Sequence, residues 1–244
     1  MPRFSIRSFP FAVLMLLTIA TVAFAAEFLG NIQTTKIPTG FPVKGVTIGT
    51  YGCDYNGTGV KPFQQALIDG HKHLEVVNGA FVFTEVLSSA ADDVTIVARS
   101  GVSFAINHSG SVGLFNLTGA RASLINLRCL ETTAVNDQKM IYISGPNSKV
   151  VNTTLVYNGP GTAANPQIGI HADNAMNVSL QDVTVLPSTG VIGAKISTGV
   201  GYRVDNFSVL SDINLDTPNI VIGANVRDMW MGLWLDNTDR KSVV

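Results

Sequence analysis

Charged residues are scarce in this 244-residue sequence, in which they make up 14% of the positions. The 16 Lys and Arg residues nearly balance the 17 Asp and Glu residues, so the formal net charge is −1. Proteins that bind nucleic acid or anionic lipid through their overall charge carry an excess of basic residues. We therefore expect no nucleic-acid partner. The hydrophobic fraction of 46% predicts instead that another protein surface covers part of this one.

Cysteine is also scarce, with Cys53 and Cys129 as the only two. Two cysteines exclude a small fold held together by several disulfides, although one bridge would be possible in an oxidising compartment. Cys129 takes an inward position of the sequence repeat that begins near residue 112, whereas Cys53 lies far upstream of that repeat. We expect two separate thiols.

Only one long apolar run is present, from Phe11 to Phe24, a stretch of 14 residues. It follows two arginines, and Ala23-Phe24-Ala25 supplies the small residues that signal peptidase requires. The run is shorter than the roughly 20 residues of a membrane-spanning helix. We predict that residues 1–25 are a signal peptide and that the protein is secreted and extracellular, with no membrane segment after cleavage. A membrane anchor is the alternative.

Three sets of apolar positions recur together with a period of about 26 residues. The first set is Phe115, Ile141, Ile168, Ala194 and Ile220, the second is Leu124, Val150, Val178 and Val204, and the third is Cys129, Leu155, Val183 and Val209. Three sets that share one period predict three short strands in each repeat, which would form three sheets.

The predicted strands are short, and the two-residue Asn-Gly turns of tight hairpins are missing between them. If each repeat makes one turn of a coil, strands of one set stack about 4.8 Å apart in parallel, and their inward side chains form a continuous apolar column. Crossovers between parallel strands are right-handed. We predict an all-β protein, a single-stranded right-handed parallel β-helix of six or seven coils. A β-sandwich is the alternative.

Two motifs identify a family for this predicted coil. Residues 61–87, KPFQQALIDGHKHLEVVNGAFVFTEVL, combine a short helix at 61–70 with a strand, a Gly turn and another strand. Asparagine recurs at the bend between the second and third strands, as Asn126, Asn152 and Asn206, and Leu180 replaces it in one coil. Both motifs resemble those of the pectate-lyase-like superfamily of right-handed parallel β-helices, and also those of the β-helix domains of phage tailspikes.

The resemblance implies a β-helix domain over residues 61–244, with the helix at 61–70 as its N-terminal cap. Residues 26–60 are rich in Gly, Thr and Pro and match no part of the repeat, so we interpret them as an extended leader. In the resembled enzymes the first sheet lines the substrate groove. We therefore expect an extracellular polysaccharide to bind along this sheet.

The resemblance also suggests roles for outward residues of the first sheet and its loops. Alternation places Tyr142 and Lys195 in one outward row and His171 in the next, so that His171 and Lys195 are neighbours on adjacent coils. We predict His171 and Lys195 as catalytic residues, with a solvated surface position as the alternative for both. The predicted substrate-binding residues are Tyr142, Asn116, Gln167 and Ser197. Tyr142 and Tyr202 are candidates for stacking on sugar rings or for an interface.

Acidic residues are missing from the predicted outward rows of the first sheet. Lyases of the superfamily hold calcium with clustered Asp residues, so we predict Asp173, Asp137 and Asp212, which lie in loops, as calcium ligands. For Asp173 the alternative is a turn residue. The Gly-His-Gly motif of polygalacturonases is absent, and Asn-Thr-Asp occurs once, at residues 237–239. Whether the chain is an enzyme stays open, and a polysaccharide lyase is the activity that the resemblance implies.

The last predicted coil, MWMGLWLDN at 229–237, is apolar at consecutive positions. A β-helix exposes unpaired strand edges at its end, which solenoids normally cover with a cap. We therefore expect a homo-oligomer formed through the C-terminal coil. The competing function is a non-catalytic structural or adhesive subunit of an extracellular assembly.

Overall fold

The computed structural model describes residues 45–131, 137–158, 166–188, 190–210 and 220–233. These residues form an all-β structure with one short helix, α1 (Lys61–Ile68). Two strands precede the helix, β1 (Val46–Gly49) and β2 (Tyr55–Asn56). The others are β3 (His73–Val76), β4 (Ala80–Phe83), β5 (Leu87–Ser89), β6 (Thr95–Ala98), β7 (Ser103–Ile106), β8 (Val112–Leu117), β9 (Ser123–Ile125), β10 (Arg128–Glu131), β11 (Lys139–Ile143), β12 (Lys149–Val156), β13 (Gln167–Ala172), β14 (Ala175–Met176), β15 (Ser179–Leu186), β16 (Val191–Val200), β17 (Arg203–Val209), β18 (Ile220–Arg227) and β19 (Trp230–Leu233).

The strands form a parallel β-solenoid of about six turns. Strands β5, β8, β11, β13, β16 and β18 supply one strand from each turn to a seven-stranded sheet, which β14 completes. The other twelve strands form a second sheet. All strand pairs recorded among the described residues are parallel, which confirms the predicted coil and excludes the β-sandwich.

The solenoid has two sheets where the repeat predicted three. In the later turns the second and third strands are continuous across their bend, as in β12, which pairs with the separate strands β9 and β10 of the preceding turn through its first and second halves. Asn152 at this bend has φ = 48°, and the chain turns within a single residue. Asparagine tolerates this left-handed conformation better than most residues do, so the bend interrupts strand pairing by only one residue.

The bend residues form a ladder of side-chain hydrogen bonds on the outside of the coil. Asn152 Nδ2 donates to Asn126 Oδ1 at 2.9 Å, and Asn206 Nδ2 donates to Asp182 Oδ1 at 2.7 Å. Asp182 therefore occupies the position that the sequence pattern assigned to Leu180. Leu180 is 1% exposed and pairs with Val150 and Val204, so the prediction that Leu180 takes the ladder position in this turn is wrong.

One apolar column runs through the solenoid, and its composition changes along the axis. Near the N-terminal end it is aromatic: Phe104 contacts the rings of Phe63, Phe81, Phe83 and Phe115 at centroid distances of 5.6–6.0 Å. The later turns fill the same space with aliphatic side chains, among them Ile141, Ile170, Ala194 and Ile196. Inward positions recur once in each turn, as predicted, although the spacing departs from about 26 residues on either side of Ile170.

The N-terminal end of the described solenoid differs from the predicted domain limits. Residues 46–49 and 55–56, which the sequence placed in the leader, form β1 and β2 and pair in the twelve-stranded sheet, so the coil begins before residue 61. The helix predicted at 61–70 is α1, and its Phe63 is fully buried. Residues 1–44, including the predicted signal peptide, lie outside the described residues. Within the described part of the chain, no helix is both long and apolar enough to cross a membrane.

The two cysteines are both free, as predicted. Cys129 lies in the core with a fully buried side chain, and its burial raises the pKa of the thiol well above the ordinary value. Because a thiol needs to ionise before it reacts as a nucleophile or binds a metal, Cys129 is an inert core residue.

Candidate functional site

The outward face of the seven-stranded sheet carries a row of polar side chains, one from each successive turn. Register pairs Asn116 on β8 with Tyr142 on β11, Tyr142 with His171 on β13, and His171 with Lys195 on β16. We call these four residues the polar row. Parallel strands are about 4.8 Å apart, so four side chains in register form a straight line along the solenoid axis.

The register of the polar row differs from the prediction by two residues. Sequence spacing aligned Ile168 with Ile141, whereas the structure pairs Ile170 with Ile141 and Ile168 with Lys139. All six residues of β13 are buried, so alternation along this strand does not mark its register. A shift of two residues keeps the predicted face but moves His171 into the same row as Tyr142 and Lys195.

The correct register brings an acidic residue to this face, where none was expected. Asp173 directly follows β13, in line with Ser144 and Ser197 of the neighbouring turns. Its carboxylate accepts hydrogen bonds from Tyr142 Oη at 3.4 Å and from Thr198 Oγ1 at 3.3 Å. Thr198 Oγ1 in turn accepts a hydrogen bond from the backbone N–H of Asn174 at 3.0 Å. Asp173 thus joins the end of β13 to the neighbouring strands β11 and β16.

His171 lies at the centre of the site and is 8% exposed. Its Nε2 is 2.7 Å from Ser197 Oγ on β16, and its ring contacts the Tyr142 ring edge to face at a centroid distance of 5.4 Å. Its Nδ1 is buried and has no hydrogen-bond partner among the described residues. The solvated surface position that was the alternative for His171 is therefore wrong.

The surroundings of His171 favour its neutral form. The pKa of the imidazole is lowered to about 4, mainly by burial; the carboxylate of Asp173 opposes this effect, and the charges of Lys195 and Lys139 add to it. A histidine with this pKa is uncharged at neutral pH and can accept a proton from a hydrogen-bonded hydroxyl.

Tyr142 and Tyr202, the two candidates for sugar stacking, have different environments. Tyr142 is half-buried on the outward face, and burial followed by the nearby charge of Asp173 raises the pKa of its hydroxyl. Tyr202 is 2% exposed, and its hydroxyl donates to the backbone carbonyl of Thr198 at 2.5 Å. Tyr202 is therefore a core residue and not a surface for a sugar ring, whereas Tyr142 borders His171.

The predicted substrate-binding residues divide into those on the face and one in the interior. Tyr142 and Ser197 lie within the His171 cluster, and the Asn116 side chain is half-buried, with its Nδ2 3.4 Å from Ser88 Oγ. Gln167 is fully buried, and its Nε2 donates to the buried carboxylate of Glu131. Gln167 cannot contact a polymer on this face, because its amide lies in the interior.

The predicted calcium ligands do not gather among the described residues. Asp173 bonds Tyr142 and Thr198, while Asp137 is exposed and sits in a left-handed turn with φ = 57°. Asp212 lies outside the described residues. The described residues contain no group of three or more His, Cys, Asp or Glu side chains that could hold a metal ion.

The site combines a hydroxyl, a neutral imidazole, a carboxylate and an ammonium group on one sheet face. Ser197, His171, Asp173 and Lys195 all come from β13 and β16 or from the residue that follows β13. A proton can pass between Ser197 and His171, and Lys195 supplies positive charge beside them. A pocket of about 650 Å³ lies elsewhere, between the segment 54–62 and β4, and includes none of these residues.

No protein-family model matches the chain, and no curated protein or solved structure matches it.

Proposed function

We propose that the protein is a secreted carbohydrate-binding β-solenoid that holds an extracellular polysaccharide along the polar row. The observation that supports this proposal is the direct register of Asn116, Tyr142, His171 and Lys195 on four successive turns. A polymer presents similar groups at regular intervals, and a row with one side chain from each turn offers regular contacts of hydrogen-bonding, aromatic and cationic character.

The cationic end of the row favours an acidic polysaccharide. Lys195 is half-buried, and its ammonium group would pair with a carboxylate of the polymer, while the exposed edge of the Tyr142 ring would contact a sugar ring. The rest of the chain has little net charge, so recognition would depend on this local arrangement and not on a broad electrostatic field.

Binding can be tested with immobilised polygalacturonate, alginate and xylan and by titration calorimetry. We expect Tyr142→Ala and Lys195→Ala each to weaken the affinity for the bound polymer by about tenfold or more, because each removes a contact worth roughly 1–2 kcal/mol. Thr184→Ala, on the outward face of the twelve-stranded sheet, is the matched control and should bind as the wild type does. Equal affinity of all four proteins would refute the proposed binding face.

Cleavage by a pectate-lyase-like elimination is the finer form of this proposal. In such a reaction the neutral His171 would remove a proton from the sugar, and Lys195 would stabilise the negative charge that develops. A calcium ion held by Asp173, Asp137 and Asp212 would be needed if the enzyme followed the resembled lyases. The assay is the absorbance of unsaturated products on the same polymers, with and without calcium. Product formation that survives both Lys195→Ala and His171→Ala would exclude this site.

A second candidate function is a structural or adhesive subunit that assembles from several copies. The observation that favours it is the exposure of large apolar side chains on the last described turns, where Leu210 is 40% and Trp230 53% exposed. Trp234, the other tryptophan of the predicted C-terminal coil, lies outside the described residues. Light scattering during size-exclusion chromatography would give the mass in solution, and a monomer at all concentrations would exclude this candidate.

A further inference from the structure

Ser197 and His171 form a pair that neither polymer binding nor elimination requires. Ser197 Oγ is 2.7 Å from His171 Nε2, within the range for transfer of a proton between a nucleophile and its base. The two residues lie on neighbouring strands, β16 and β13, whose backbones are in register over several residues. The distance is therefore set by the sheet and not by a loop.

The packing around the pair orients the imidazole. The Tyr142 ring meets the His171 ring at an interplanar angle of 82°, and β11 and β16 flank β13 on both sides. Ser197 is half-buried on the same outward face, from which a substrate would approach its hydroxyl. A hydroxyl within hydrogen-bond reach of an imidazole that its neighbours hold in place is the arrangement in which a serine acts as a nucleophile.

The orientation of the His171 imidazole favours one of two reactions, acyl transfer or elimination. When the neutral imidazole carries its hydrogen on Nδ1, Nε2 accepts a hydrogen bond from Ser197 Oγ, so the proton closest to the base belongs to a hydroxyl of the protein and not to a sugar carbon. Lys195 is close enough to lower the pKa of His171 by its charge, and it would stabilise the negative oxygen formed when the hydroxyl attacks a carbonyl. This geometry favours acyl transfer over elimination.

We propose that Ser197 and His171 are a nucleophile and general base that hydrolyse an O-acyl ester carried by the polysaccharide. This inference rests on the proposed function for the nature of the substrate. The expected substrate is a polymer with acetyl groups on its hydroxyls.

The reaction would proceed in two steps. In the first, Ser197 Oγ forms a bond with the acyl carbon while its proton moves to His171 Nε2. The acyl–oxygen bond of the ester then breaks, and the sugar oxygen leaves with that proton. In the second step, water forms a bond with the acyl carbon while one of its protons moves to His171 Nε2. The bond between Ser197 Oγ and the acyl carbon then breaks, Ser197 Oγ takes that proton, and a carboxylic acid is released.

The pH dependence of this reaction follows from the groups around His171. Tyr142 and Lys139 on β11, Asp173 after β13, and Lys195 on β16 are the charged and titratable groups that interact with the imidazole. Only the neutral imidazole can accept the serine proton. Ester hydrolysis should therefore rise with an inflection near the pKa of about 4 and be fully developed at neutral pH.

The first test labels the purified protein with a biotinylated fluorophosphonate, which reacts with activated serines, and locates the adduct by peptide mass spectrometry. We expect labelling of Ser197 in the wild type and in the control Ser208→Ala, whose serine faces outward on the twelve-stranded sheet. Ser197→Ala and His171→Gln should not be labelled. An unlabelled wild type, or labelling that persists in Ser197→Ala, would overturn the inference.

The second test measures turnover of p-nitrophenyl acetate and release of acetate from O-acetylated pectin. We expect Ser197→Ala to reduce both rates by on the order of 10²-fold or more, which is the usual contribution of an activated nucleophile and its base. Ser197→Cys should keep part of the activity towards p-nitrophenyl acetate, because a thiol can also attack the ester. Far-ultraviolet circular dichroism checks that the variants keep the fold. Unchanged rates in a folded Ser197→Ala variant would contradict the assignment.

Separate measurement of binding distinguishes the inference from the proposed function. If the wild type binds acetylated pectin but releases no acetate, the inference is wrong and the binding proposal stands. If it hydrolyses p-nitrophenyl acetate in a Ser197-dependent way but binds no polysaccharide, the pair is confirmed as a nucleophile and base and the proposed polymer substrate is wrong.

Discussion

Two outward faces of the same solenoid carry different side chains in the same geometry. On the seven-stranded sheet the polar row runs through Asn116, Tyr142, His171 and Lys195. In the twelve-stranded sheet, the strand segments that follow the bend carry a corresponding outward line of residues, and this line is apolar. We call it the apolar row. It consists of Val82, Ala105, Leu130, Val156, Leu186 and Leu210.

The difference shows which positions the fold constrains. Both rows have the same separation between turns, and both lie above the same buried column, yet one is polar and the other apolar. Inward residues must fill the column, whereas outward residues are free to vary with function. Each face can therefore be altered without the other, while a change in the column should affect both.

The largest effect is expected from a cavity in the shared column. Phe104 is fully buried and contacts four other phenylalanine rings, so Phe104→Ala should lower the free energy of unfolding by about 3–5 kcal/mol. Val82→Ala, in the apolar row and 42% exposed, is the control and should change it by less than about 0.5 kcal/mol. Urea denaturation followed by circular dichroism measures both. Similar losses in the two variants would show that the column does not carry the stability.

The inward positions were the part of the fold that the sequence predicted well. The apolar period has a direct physical cause, because each turn must place a side chain in the column. The register of β13 was not predicted, since Ile168 and Ile170 are both buried and either could have aligned with Ile141. The separation along the chain from Ile141 to its partner Ile170 is 29 residues, and from Ile170 to its partner Ala194 it is 24. The average period therefore misplaced β13 by two residues, and it misplaced β15 of the same turn in the same way, where Leu180 and Val185 take the positions predicted for Val178 and Val183.

The candidate site was predicted in part for the same reason. His171, Lys195, Tyr142 and Ser197 were placed on the right face because a shift by two residues does not change the face of a strand. The contacts of Asp173 were not predicted, because they depend on the register of β13. The position of Asp182 in the ladder could have been found from the sequence, since it precedes Val183 as Asn152 precedes Thr153, and Asp also adopts left-handed turns.

An effect of intermediate size on the free energy of unfolding is expected when acidification protonates His171 in the polar row. In the unfolded chain His171 has its ordinary pKa of 6.5, and burial lowers it to about 4 in the folded protein. Above pH 6.5 the imidazole is neutral in both states and its contribution to stability is complete. As the pH falls from 6.5 towards 4, the unfolded state binds a proton that the folded state does not, so the free energy of unfolding decreases.

Screening by solvent reduces this loss to on the order of 1 kcal/mol between pH 7.5 and pH 5. Urea denaturation at the two pH values should show that His171→Gln removes this part of the pH dependence of the free energy of unfolding. His73→Gln, which replaces an exposed histidine on β3, should keep the dependence of the wild type. If His171→Gln loses as much stability on acidification as the wild type, the buried imidazole is not the group that titrates.

The smallest effect on stability is expected at the apolar row, where assembly is the more sensitive measurement. Leu186 is 36% exposed on this row, and Trp230 is 53% exposed on the last described turn, where the Arg203 guanidinium lies 5.2 Å from the centre of its ring. Replacing either exposed residue by Lys should change the free energy of unfolding by no more than about 0.5 kcal/mol.

The two lysine variants separate two modes of assembly. A charge placed in an apolar interface remains desolvated and unpaired, so it should dissociate any oligomer that uses the surface in question. If copies associate through the C-terminal coil, Trp230→Lys should reduce the mass measured by light scattering and Leu186→Lys should not. Association through the apolar row would give the opposite result. An oligomer that resists both substitutions would use neither surface, and the contrast between the two rows would then reflect ligand binding on one face alone.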